Sequence, residues 1–296
     1  MRRNTPSVIG SMSASGAAIA VARPSRKKAH VSGDVVRPNF VVGAGGMIMA
    51  LFLILPLYAL LQSAWESGEF FASLVTPFAL DALRLSIITT TAALILTLVF
   101  GTPLAVVLAR GTFRGRKILD TLCDLPMTLP PVVGGLALLL TFGRNGMFGP
   151  VLTFFGISLP FTTAAVVVAS TFVAAPFYIR SARSGILAVP REVEEAARVD
   201  GCDEFGVFKS ITAPAAGEAL LGGAILCGAR ALGEFGATIM FAGSIQGKTQ
   251  TLPLAIYAAL GINLNASISM SILLLVVSFV LLIAFRRWVG DRTSEG

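Results

Sequence analysis

Six apolar stretches, at 40–62, 83–109, 118–142, 161–179, 218–241 and 266–285, constrain this chain more tightly than any motif in it. Each is about the twenty residues that a helix needs to cross the hydrocarbon of a bilayer. No water reaches backbone N–H and C=O groups there, so each stretch must close its hydrogen bonds within itself, which selects helix. Composition points the same way: 55% of the 296 residues are hydrophobic and 13% are charged, with a mean hydropathy of +0.81. A soluble domain carries about twice that charged share. The expected class is an all-α integral membrane protein with six transmembrane helices. Pro103, Pro126, Pro130 and Pro131 predict kinks or breaks in the second and third stretches, because proline removes a helix N–H and crowds the preceding turn.

The cations orient the spans. Of 23 Lys and Arg residues, seven lie in 1–39, four in 110–117, five in 180–217 and three after residue 285. These nineteen fall on one side of the membrane; the other side holds Arg144 and Lys248, while Arg84 and Arg230 lie within spans. Positive charge collects on the cytoplasmic face of a plasma membrane, the inner membrane in bacteria, so both termini and the segment 180–217 are expected in the cytosol. That topology accounts for the net charge of +7, and no nucleic-acid partner is indicated. Residues 1–39, rich in Ser, Ala, Gly and Arg, lack the continuous apolar core of a signal peptide. They are expected to form a disordered cytoplasmic tail, followed by a transmembrane domain at 40–290 and a C-terminal tail at 291–296. Cys123, Cys202 and Cys227 show no paired spacing and His30 stands alone in the tail. Neither a metal site, a bound cofactor nor a catalytic constellation is expected.

Segment 180–217 is too polar to cross a bilayer and has the chemistry of two short helices. Pro190 suits a first helical position, and Glu192, Glu194 and Glu195 place negative charge at the positive end of a helix running to Val199. Asp200-Gly201 stops it, because glycine takes the left-handed conformation that closes a helix. Asp203 is a candidate N-cap for a second helix, with Phe205, Phe208 and Ile211 on one face and Pro214 at its end. Such a bent pair suits a groove on a soluble partner; the alternative is an amphipathic hairpin lying on the lipid surface.

The run from Glu195 to Pro214, EAARVDGCDEFGVFKSITAP, resembles the EAA loop of ABC importer permeases: E-A-A, three residues, G, nine residues, I-x-L-P. Glu195, Ala196, Ala197, Gly201, Ile211 and Pro214 match, and Ala213 stands where the family usually has Leu. The resemblance implies that this loop, with Phe205 and Phe208, couples the chain to a cytosolic ATPase subunit, which would itself bind the ATP.

Arg230 and Glu234 share a helix face four residues apart near the middle of the fifth stretch. Charges inside a membrane normally face protein or a water-filled cavity, so the two are either a neutralising structural pair or part of a pathway or gate. The loop 242–253, AGSIQGKTQTLP, imitates the end of a phosphate-binding loop at Gly247-Lys248-Thr249. Ala242 stands where that motif needs Gly, no strand precedes it, and topology places it outside the cell, so ATP binding is rejected. What remains is an external loop rich in donors, in which Lys248 is a further pathway candidate beside Ser244, Gln246, Thr249, Gln250 and Thr251. The apolar run 254–260 is too short to span and reads as a re-entrant or surface piece. The basic turn 111–117 reads as a topology anchor, and Gly143 to Pro150 as an external turn carrying Arg144.

Residues 230–257, RALGEFGATIMFAGSIQGKTQTLPLAIY, and 125–149, LPMTLPPVVGGLALLLTFGRNGMFG, are similar to the corresponding segments of molybdate ABC transporter permeases. With the EAA loop the resemblance covers 83–285, and sulfate permeases share its RALGEFG pattern. It implies the type I, MetI-like importer permease fold, a homodimeric channel, two cytosolic ATPase subunits and a periplasmic or lipid-anchored molybdate-binding protein. Sulfate, thiosulfate or tungstate is the alternative cargo. A stand-alone secondary transporter would show paired repeats with ion-coupling carboxylates, and an intramembrane enzyme a nucleophile–base or metal set.

Overall fold

A computed structural model describes residues 40–68 and 70–293. The expected tail 1–39, and residues 294–296 of the expected C-terminal tail, lie outside these. The chain divides into two units, 1–51 and 52–296. The described part of the first is the start of helix α1 (Phe40–Ser67), which exposes Met47, Ile48, Met49 and Leu51.

The second unit holds the remainder of α1 and then α2 (Phe70–Leu74), α3 (Pro77–Arg110), α4 (Arg116–Thr128), α5 (Pro131–Phe142), α6 (Gly149–Phe154) and α7 (Thr163–Ala188). It continues through α8 (Arg191–Val199), α9 (Glu204–Val207), a π-helical turn (Phe208–Thr212), α10 (Ala213–Ala215), α11 (Gly217–Leu232), α12 (Gly236–Phe241), α13 (Leu252–Leu260) and α14 (Leu264–Thr293). No strand occurs among the described residues.

All six apolar stretches are helical, but they are not six straight rods. Helices α1, α3 and α7 are long and apolar enough to cross unbroken, and α14 is apolar over Leu264–Val280. The third stretch is different: the chain bends by 117° between α4 and α5. Pro130 and Pro131 lack the N–H groups that would continue the ladder, so the helix stops at Thr128 and restarts at Pro131. Helix α5, with 12 residues, reaches only about 18 Å, short of the roughly 30 Å hydrocarbon core. The fifth stretch also breaks, between Leu232 and Gly236. The second and fourth are longer than hydropathy predicts, because their ends at Pro77 and Ala188 extend past the apolar windows into interfacial residues.

Three apolar clusters hold the second unit together. In one, α3 presents Ala93, Ala105 and Ala109 to Ala174, Tyr178, Ala182 and Ile186 of α7, so small residues bring the two backbones close. The hydroxyls of Thr102 and Tyr178, 2.5 Å apart, join the same pair, and Ser181 Oγ donates to the Ala219 carbonyl (2.7 Å) from α7 to α11. The second cluster packs α5 and α12 on α7 through Leu138, Val166, Val173 and Phe241. A Cβ on Gly135 would stand 2.6 Å from the Ala237 carbonyl oxygen and 2.8 Å from Met240 Cβ, so only glycine allows this approach. In the third, α13 and α14 close on the start of α3. Ser86 Oγ accepts the Leu252 N–H at 2.7 Å, capping α13 from another helix. The expected short apolar piece buries Leu254, Ala255 and Ala259 on one side and exposes Tyr257 and Leu260 on the other.

Candidate functional site

Two places carry the residues singled out in the sequence. The first is the hairpin from α8 to α10. Pro190 caps α8 rather than opening it, and Glu192 and Glu194 occupy the first turn. The Gly201 and Cys202 N–H groups bond back to the Arg198 and Ala197 carbonyls, and Gly201 adopts φ +92°. Asp203 accepts the Gly206 N–H at 2.8 Å and so starts the second arm, as its position predicts. Across the bend, Arg198 meets Glu204 with two bonds of 2.8 and 3.1 Å. Those hydrogen bonds, reinforced by the opposite charge, hold the Glu204 carboxyl below the ordinary carboxylate range and raise Arg198.

The second arm departs from a plain helix. Pro214 lacks an N–H, and the preceding turn widens so that the Ala213 N–H bonds to the Phe208 carbonyl five residues back. Pro214 does not end the arm; the chain bends by 78° after Ala215 and enters α11. The expected apolar face of Phe205, Phe208 and Ile211 is unevenly exposed. Phe205 is exposed, Phe208 and Ile211 are half-buried, and Val207 and Thr212 fill the inside. Glu195, Ala196, Gly201 and Pro214 are exposed, Ala197 is half-buried, and Val193 and Val199 add apolar surface outside.

The buried carboxylate of the hairpin is Glu194, its exposed neighbour Glu195 being the residue that matches the motif. Glu194 Oε1 accepts from Thr212 Oγ1 (2.8 Å) and from Arg110 Nη2 (3.0 Å) at the end of α3. Neither Glu194, Arg110 nor Thr212 was singled out for this role by the sequence. A further ion pair, Arg183–Asp120 at 2.7 Å, ties α7 to α4.

The second place is the break between α11 and α12. Arg230 Nη1 lies 2.7 Å from Glu234 Oε2, so the expected pair forms. It does not lie along one helix, because α11 ends at Leu232. Glu234, 2% exposed, uses its other oxygen to accept the Ala237 N–H at 2.7 Å and caps α12. Position Gly236 packs against Pro131 and Val132, so the breaks of α11/α12 and α4/α5 lie against each other.

Lys248 is not brought to this pair; among the described residues no bond or ion pair joins it to Arg230 or Glu234. It is exposed on the loop 242–251, where its carbonyl accepts from Thr163 Oγ1 at the start of α7 (2.8 Å). Much of the predicted donor surface of that loop is turned inward: Thr249, Gln250 and Thr251 are buried, and Thr249 Oγ1 accepts the Ile245 N–H. This loop and the hairpin sit at opposite ends of α7, whose 26 residues extend roughly 39 Å.

Residues 101–295 match the family described as binding-protein-dependent transport system inner membrane component. The chain belongs to this family. Among its relatives, the molybdenum transport system permease protein ModB of Mycobacterium tuberculosis is 39% identical over 268 residues, covering 90% of this chain and 98% of that protein. The sulfate transport system permease protein CysW of Escherichia coli is 36% identical over 219 residues, covering 73% of this chain and 75% of its own length. The solved MetNI methionine ABC transporter has the same fold in a chain 19% identical, with a TM-score of 0.57 over 72% of this chain and 95% of that one. This permease is therefore a multi-pass inner membrane subunit of an ABC importer, with the type I, MetI-like fold.

Proposed function

We propose that this permease carries molybdate into the cytoplasm, driven by ATP hydrolysis in a partner subunit. The observation that supports the cargo is the 39% identity to ModB across almost the whole of both chains. Two copies would line the channel, with the hairpin and both termini in the cytosol, following the cation distribution. The exposed Glu195, Ala196, Gly201 and Phe205 would meet the ATPase. Loaded binding protein would dock at the opposite end, beside the loops 143–162 and 242–251.

Arg230 and Glu234 are the pathway or gate residues of this scheme. They lie where two helices are interrupted, and unwound backbone inside a membrane is tolerated where it faces protein or a cavity. A permease of this kind needs weak contacts along the route, since tight binding would stop conduction. Selection of the anion is then the task of the binding protein, because one larger atom in a site is worth only about 1–3 kcal/mol of discrimination.

The test is uptake of labelled molybdate by the permease reconstituted with its ATPase and binding protein. Tungstate should compete at near-equal concentration, and sulfate should fail in large excess. The sulfate reading is favoured by the 36% identity to CysW, and strong competition by sulfate would establish it instead. Uptake without an ATPase partner would point to a secondary transporter.

A further inference from the structure

The inner side of the hairpin carries a junction that the motif does not predict. Arg110, the last residue of α3, sends Nη2 to the Ile186 carbonyl at 2.7 Å, the Val189 carbonyl at 2.8 Å and Glu194 Oε1 at 3.0 Å. The two carbonyls belong to the exit of α7, at the negative end of the helix dipole, and that of Ile186 also accepts the Val189 N–H at 3.2 Å. One nitrogen with two hydrogens faces three oxygens, so at least one bond is shared. The carboxylate has a second donor in Thr212 Oγ1 at 2.8 Å.

Four segments therefore converge on one guanidinium and one carboxylate. They are the end of α3, the end of α7, the first arm of the hairpin through Glu194, and the second arm through Thr212. The covalent link from α7 to α8 is only Val189-Pro190. The other end of the hairpin runs through Ala216 into α11 and packs with Leu220 in the α3–α7 cluster; the junction ties the first arm to α3 directly. Higher up, α3 and α7 are already locked by their small-residue contact and by Thr102–Tyr178.

We infer that Arg110 is a positioning residue that makes the hairpin and the α3–α7 pair one lever, so that hairpin displacement enters the membrane through α3 as well as α7. This rests on the importer assignment. A lever with a slack joint would still dock the ATPase and allow hydrolysis, but would lose stroke before it reached the spans.

The experiment uses the full complex in proteoliposomes and measures molybdate taken up per ATP hydrolysed for wild type, Arg110→Gln, Arg110→Lys and Glu194→Gln. Arg110→Gln should assemble and hydrolyse ATP, while uptake per ATP falls about tenfold, the order expected for losing a charge-assisted bond and its neighbours. Arg110→Lys keeps the charge without the planar fork and should fall between. Glu194→Gln keeps an acceptor for Arg110 and should be milder than Arg110→Gln. An unchanged ratio in Arg110→Gln would overturn the inference. So would loss of assembly in both Arg110 variants with a normal ratio in whatever complex forms, because that is a plain structural anchor. A wild-type complex that does not couple hydrolysis to uptake would instead remove the importer assignment beneath it.

Discussion

Arg230 and Glu234 are paired at 2.7 Å although the helix that carries the arginine ends between them. Their spacing suits a single helix face, yet Glu234 stands outside α11 and serves the next helix as its cap. One carboxylate thus joins two half-helices across an interruption: one oxygen holds the Ala237 N–H of α12 and the other the guanidinium of α11. The pair is unequal, since the Arg230 side chain is 28% exposed and that of Glu234 is 1%.

That inequality sets the first prediction. Arg230→Gln strands a buried carboxylate, and breaking such a pair costs roughly 3–5 kcal/mol. Glu234→Gln leaves an arginine that is less deeply buried and keeps a carbonyl for the Ala237 N–H, so its loss should be smaller. Glu234→Ala, which removes the cap as well, should be worse than Glu234→Gln. The double change to Gln should recover part of the Arg230→Gln defect, read as assembled complex and as uptake. Strictly additive defects would show that the two residues do not pair in the membrane.

A second prediction concerns the contact of α5 with α12. A methyl group on Gly135 would overlap the Ala237 backbone, and overpacking of this kind typically costs about 1–3 kcal/mol. Gly135→Ala should lower the melting temperature of the purified permease and separate the two breaks. Gly228→Ala is the control, because its nearest neighbour is the end of Leu94 at 4.0 Å. Equal stability of the two variants would refute the close approach.

These results also show how far hydropathy carries. Apolar windows located the long helical segments because burial in lipid demands apolar length, but not the short α2 and α6. Apolarity does not report backbone continuity. Pro130-Pro131 announced one interruption, but the break at Gly233–Phe235 has no proline to mark it. In the hairpin, turn chemistry at Gly201 and Asp203 was legible because it is local. The inward-facing set was not, because Glu194 is held by Arg110 and Thr212, which lie far from it in sequence, and the turn that carries Thr212 is widened. Arg110 entered the sequence reading only as one of the cytoplasmic cations; its carboxylate partner lies 84 residues away in sequence.

The third prediction is topological. Ser158 and Gln246 are exposed at one end of α7 and Ser184 is exposed near the other. Single cysteines at the first two, in a background lacking Cys123, Cys202 and Cys227, should react with an impermeant thiol reagent in intact cells. A cysteine at 184 should react only after permeabilisation. Labelling of 184 from outside would invert the assignment and remove the hairpin from the cytosolic ATPase.

The last prediction isolates backbone conformation in the hairpin. Gly201 adopts φ +92°, yet no atom lies within 4 Å of where its Cβ would be. A substitution there meets no obstacle and is penalised only through the backbone, by about 1–3 kcal/mol for a residue forced into such a region. Gly201→Val should suffer most because a β-branched residue resists positive φ, whereas Gly201→Asn tolerates it better. The side of α8 that holds Glu194 is anchored to Arg110, and Thr212 ties the end of the second arm to Glu194, so relief of strain should displace the exposed start of the second arm, with Phe205. The chain should therefore still reach the membrane in normal amount while ATPase copurification and uptake fall, in the order Val, then Asn, then wild type. Normal copurification and uptake in Gly201→Val would mean that the bend of this hairpin is not what the ATPase recognises.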